Sequence, residues 1–92
     1  MKVSFYATLR PIVGQKTVDV DMPDGATVGQ LIDVIVTAYP ALRPELLDEK
    51  GELQGHIKFF VNGREVIYLE RQIDTVIHPD DVVTVFPPVG GG

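Results

Sequence analysis

A strict apolar–polar alternation recurs along this chain and breaks for a single stretch of helical spacing. Lys2 to Ala7 sets Val3, Phe5 and Ala7 against Lys2, Ser4 and Tyr6, and Lys16 to Met22 sets Val18, Val20 and Met22 against Thr17, Asp19 and Asp21. Successive strand side chains point to opposite faces, so each stretch predicts a strand with one buried face. Leu9 to Gly14, carrying Pro11, reads as the break between them. Alternation returns in Ile57 to Val61, with Ile57, Phe59 and Val61 on one face, and in Val82 to Phe86, with Val83 and Val85 inward. Asn62-Gly63 is a strong signal for a two-residue hairpin turn, which makes Arg64 to Tyr68 the return strand.

The exception lies between the second and third strands. After the turn residues Pro23-Asp24-Gly25, Thr27 and Gln30 stand at capping-box spacing ahead of Val28, Leu31, Ile32, Ile35 and Tyr39. Many of these residues are β-branched, which favours strand, but the cap and the period outweigh that weaker preference. Pro40 ends the helix by disfavouring helical geometry at Tyr39. Arg43 to Leu47 adds a helical turn, and Asp48 to Gly55 reads as a polar, mobile loop. In the irregular Leu69 to Asp81 segment, Ile73, Val76 and Ile77 are candidate core plugs and His78-Pro79-Asp80-Asp81 a turn.

Ninety-two residues suffice for one modest core and not for two. The fold predicted is α+β, a mixed sheet of about five strands covered by one main helix. A helical crossover lets the first and last strands pair in parallel at the centre, which is the β-grasp layout. Residues 1–86 form the body and 87–92 a flexible glycine tail.

The absence of cysteine removes disulfides, thiol nucleophiles and thiolate-held metals. A net charge of −5 with scattered cations argues against nucleic acid and for steering toward basic protein surfaces. No apolar run reaches the ~18–20 residues of a membrane span and no leader pattern opens the chain, so no membrane contact and a cytoplasmic location are expected. His56 and His78 lack the spacing of a metal site, and no metal is expected. Asp48-Glu49 and Asp80-Asp81 have no apolar setting to make an acid–base pair. Gly25 and Gly29 do not complete a phosphate loop. The chain offers no active site of its own, and no bound cofactor is expected.

The end of the sequence is different. At average glycine usage, three terminal glycines arise by chance in about one chain in three thousand, so Gly90-Gly91-Gly92 asks for a reason. Pro87-Pro88 after a strand favours extended chain, projecting the glycines away from the body. Residues without a Cβ can thread a narrow channel, bringing a terminal carboxylate to another protein's reactive centre. If Phe5, Phe59 and Val85 point inward, Tyr6, Phe60 and Phe86 share the opposite face of neighbouring strands. Such an aromatic patch marks a protein contact, is ordinary exposed apolar surface, or is covered by the Leu69 to Asp81 segment.

Several segments resemble the MoaD/ThiS family of ubiquitin-like sulfur carriers. They are Phe5-Tyr6-Ala7, Leu9-Arg10, Ala26-Thr27-Val28-Gly29, Tyr39-Pro40-Ala41-Leu42, Phe60-Val61-Asn62-Gly63 and above all Phe86-Pro87-Pro88-Val89 before terminal glycines. The resemblance implies that a ubiquitin-activating-type adenylyltransferase uses ATP to activate Gly92, which then becomes a thiocarboxylate. In the molybdopterin-synthase version the tail enters a large subunit and donates sulfur to a pterin precursor. The expected partner contacts are Tyr6, Phe60, Phe86, Pro87, Pro88, Val89, Gly90 and Gly91, with Gly92 as the reactive residue. Archaeal small modifier proteins resemble the chain equally and imply conjugation to target-protein lysines, and thiamine or tRNA thiolation carriers remain alternatives. His78-Pro79-Asp80-Asp81 and Gly90 depart from the usual family pattern.

Overall fold

In the computed structural model, which describes residues 1–88, the chain follows the predicted order with shorter strands. Strands β1 (Lys2–Phe5), β2 (Thr17–Asp19), β3 (Lys58–Val61), β4 (Arg64–Glu65) and β5 (Val82–Phe86) form one sheet in the order β2-β1-β5-β3-β4. The central pair, β1 and β5, is parallel, with Val3 opposite Val83 and Phe5 opposite Val85. β2 lies antiparallel to β1, β3 antiparallel to β5, and β4 returns along β3. This is the β-grasp arrangement.

Helix α2 (Val28–Ala38) supplies the second layer. Its capping box is complete: the Gln30 N–H donates to Thr27 Oγ1 at 3.2 Å, and the Thr27 N–H donates to Gln30 Oε1 at 2.9 Å. Val28, Leu31, Ile32, Ile35 and Val36 are buried toward the sheet, whereas Tyr39, predicted to continue the stripe, is half-buried where the helix ends. From the sheet, Val3, Phe5, Phe59, Val83 and Val85 meet them, joined by Ile57 just before β3, none more than 1% exposed. Burying each such side chain contributes roughly 1.5–3 kcal/mol of transfer free energy, so the inward half of the alternation read in the sequence contributes directly to stability.

Four departures from the sequence reading have local causes. The predicted break at Leu9 to Gly14 is helical: a 3-10 turn, Ala7–Leu9, runs into α1 (Arg10–Val13), with Pro11 in the first turn, where a missing N–H costs nothing. The return strand stops at Glu65, because Val66 turns into the core at the start of a 3-10 turn that leaves Tyr68 79% exposed. Of the three plugs, Ile77 is buried, while Ile73 and Val76 are more than two-fifths exposed. Residues 48–55, after α3 (Arg43–Leu46), are more tied than their polarity suggests. Leu47 bridges to Leu53, Asp48 Oδ1 accepts from the Lys50 and Glu52 N–H groups, and the Gln54 side-chain amide donates to the Pro44 and Leu47 carbonyls.

The hairpin prediction holds in detail. Asn62 and Gly63 have φ of 52° and 81°, as the tight turn demands. The Asn62 side chain also accepts from the Val82 N–H at 2.8 Å and donates to Asp81 at 2.9 Å, while Asp81 accepts from the His78 N–H at 2.8 Å. The acidic turn before β5 is therefore pinned to the β3–β4 hairpin, fixing the start of the strand that ends at Phe86.

Candidate functional site

The site begins with register. Phe5 pairs with Val85, so the next residue of β1's path, Tyr6, lies beside Phe86, and its N–H donates to the Val85 carbonyl at 3.1 Å. On the other side β3 places Lys58 directly opposite Phe86 and Phe60 opposite Thr84, one diagonal step away. The three predicted aromatics therefore meet around Phe86. Tyr6 stacks on it with ring centroids 4.4 Å apart and an 18° interplanar angle, and Phe60 meets it edge-on at 5.7 Å. All three are half-buried, because each covers part of its neighbour. Offset and edge-on pairs of this kind are worth about 0.5–1.5 kcal/mol beyond the area they bury.

The segment from Leu69 to Asp81 does not cover this patch. It packs against the helix layer instead: the Val28 N–H donates to the Thr75 carbonyl, the Ile77 N–H to the Ala26 carbonyl, and Val76 bridges to Thr27. Among the described residues, no segment lies across the outer sheet face.

Cations surround the patch, which sequence reasoning missed because they come from separate segments. Ala7, with φ of 50°, turns the chain out of β1 and brings Arg10 back over Tyr6. The guanidinium carbon stands 5.5 Å from the ring centroid while Nε donates to the Phe5 carbonyl at 3.2 Å. Lys16, whose carbonyl accepts from the Phe5 N–H, places Nζ 5.6 Å from the same ring. Lys58 reaches Glu65 Oε1 at 3.6 Å, leaving Oε2 buried without a hydrogen-bond partner among the described residues. Farther along the face Lys2 pairs with Asp19 at 3.3 Å, and the Ser4 and Thr17 hydroxyls share a hydrogen bond.

β5 ends at Phe86, so the chain leaves the sheet at the centre of the triad. Pro87 is buried and Pro88 exposed, which extends the packed body one residue past the strand. Val89, Gly90, Gly91 and Gly92 lie outside the described residues. His56, His78, Asp48, Glu49 and Asp80 are exposed. Among the described residues no group of three or more acidic or histidine side chains is placed to hold a metal, and no helix is long and apolar enough to cross a membrane.

A family model, ThiS family, matches residues 3–92. The chain belongs to the ThiS family. This ThiS-family chain is 38% identical over 92 residues to small archaeal modifier protein 3 of Haloferax volcanii, covering 100% of this chain and 98% of that protein. It is 28% identical over 91 residues to a molybdopterin synthase sulfur carrier subunit of Aspergillus niger, covering 99% of this chain and 92% of that one. In three dimensions it matches the crystal structure of small archaeal modifier protein 1 from Haloferax volcanii with a TM-score of 0.88 at 35% identity, over 100% and 98% of the two chains. The similar proteins are thus small modifier proteins and sulfur carrier subunits.

Proposed function

We propose that the chain is a sulfur carrier whose reactive group is the carboxylate of Gly92. A ubiquitin-activating-type adenylyltransferase forms the acyl-adenylate with ATP and releases pyrophosphate, and sulfide-level sulfur from a donor then displaces AMP at the acyl carbon to yield the thiocarboxylate. As the small subunit of molybdopterin synthase, the chain would donate that sulfur to a pterin precursor inside a large subunit. The observation that carries this reading is the position of Phe86, at once the hub of an open aromatic patch and the last strand residue before Pro87-Pro88 and the glycines. A partner that grips the patch has the tail at its own active site without searching for it. With no cysteine in the chain, the terminal carboxylate is the natural place to hold sulfur.

Similarity to two archaeal modifier proteins, at 38% and 36% identity over 92 residues against 28% and 25% for two molybdopterin synthase carriers, favours a second reading. In it the activated Gly92 is joined to lysines of target proteins. Both fates share the adenylate, and intact mass separates them. Incubated with the activating enzyme, ATP and a sulfur donor, the chain should gain the mass difference of one oxygen replaced by sulfur. Lysine-linked remnants of the tail in digested cell protein, without that mass change, would assign the modifier role. Removing Gly91 and Gly92 should abolish either product and leave the unfolding midpoint unchanged.

A further inference from the structure

The net charge of −5 hides an uneven distribution. Lys2, Arg10, Lys16 and Lys58 line the open sheet face or its aromatic edge, and the acidic residues facing them there are Asp19 and Glu65. Lys2 is paired with the first and Lys58 with the second. Arg10 and Lys16 have no carboxylate partner among the described residues, and both lean on the Tyr6 ring. Away from this face the chain carries eleven acidic residues against the four cations Arg43, Lys50, Arg64 and Arg71. The molecule is therefore polarised, with an aromatic patch edged by surplus positive charge on a body that is otherwise strongly acidic.

Desolvating such a patch sets a requirement on whatever covers it. A flat apolar partner would strip water from two cations and return nothing, and a basic partner would add repulsion at the point of contact. We infer that the Tyr6–Phe60–Phe86 face docks a protein surface whose apolar centre is bordered by carboxylates placed to meet Arg10 and Lys16. This deepens the carrier reading and rests on it for the identity of the partner, the activating enzyme. It also reverses the expectation from net charge. The acidic body steers basic surfaces toward its other sides, whereas the docking face selects an acidic rim.

Two measurements test the inference, and the first needs no enzyme. An isotope-labelled chain is titrated by NMR with two synthetic peptides that share a Leu-Phe centre, one flanked by glutamates and the other by lysines. The glutamate peptide should shift Tyr6, Lys16, Phe60 and Phe86, and Lys16→Glu should weaken it at least tenfold. Binding of the lysine peptide to these residues, or no shift there with either peptide, overturns the proposal. The second measurement is pyrophosphate release by the activating enzyme. Arg10→Glu with Lys16→Glu should raise KM for the chain at least tenfold with kcat unchanged. Arg43→Glu with Lys50→Glu, an equal change in net charge on the segment between α2 and β3, should shift it less than twofold. Equal effects from the two pairs would mean that net charge alone matters and would overturn the proposal. Lys16→Glu alone serves if loss of the Arg10–Phe5 hydrogen bond harms folding. Should the enzyme fail to activate the unaltered chain, the carrier reading falls and the peptide titration still decides the docking chemistry.

Discussion

The two faces of the sheet are built from the same strands one residue out of step, and they do different work. Phe59 points inward and is 1% exposed, whereas Phe60, its neighbour, points outward and lies half-buried against Phe86. Val85 and Phe86 repeat the contrast on β5, and Phe5 and Tyr6 on the path out of β1. The inner set is enclosed by α2 and has no freedom to engage anything else. The outer set is held in place by aromatic contacts and remains accessible. A period of two thus separates residues that make the fold from residues that present it.

The inner face should yield the largest effect. Phe59→Ala removes a fully enclosed ring and should cost about 3–5 kcal/mol, read from urea unfolding, a large share of the stability of any small domain. Phe60→Ala, one residue away, should cost only about 1–2 kcal/mol, since half the ring is solvated and one edge-on contact is lost. Comparable losses at the two positions would erase the distinction between the faces. Thr27→Ala, which removes the cap of α2, should cost about 1 kcal/mol and leave partner affinity unchanged, because it acts through the helix layer alone. Smallest is Asp19→Asn on the outer face, where an exposed pair with Lys2 should change the unfolding free energy by less than about 1 kcal/mol.

Much of this was legible because alternation reports register directly. Val3, Phe5, Phe59, Val83 and Val85 identify the inner face before any coordinates, and inverting the rule finds Tyr6, Phe60 and Phe86. The capping box at Thr27 and Gln30 and the Asn62-Gly63 turn were equally readable, since each depends on residues within one turn of the other. Features that depend on distant chain were not. Pro11 signals a break and a helical first turn equally well, and what decides is the reversal at Ala7. Val66 leaves the β4 edge because the core takes it, which local pattern does not record. Arg10 reaches the patch through the reversal at Ala7 and Lys16 and Lys58 through strand pairing, so a net charge summed over the chain does not record where the cations gather.

On the proposed function, the aromatic hub is there to be gripped. Phe86→Ala separates gripping from packing when unfolding free energy and affinity for the activating enzyme are measured on the same protein. A gripped hub predicts a stability loss of about 2 kcal/mol or less, together with at least a tenfold loss of affinity. A variant that chiefly unfolds, or one that binds as tightly as the unaltered chain, would show that the triad is ordinary packing and contradict the claim.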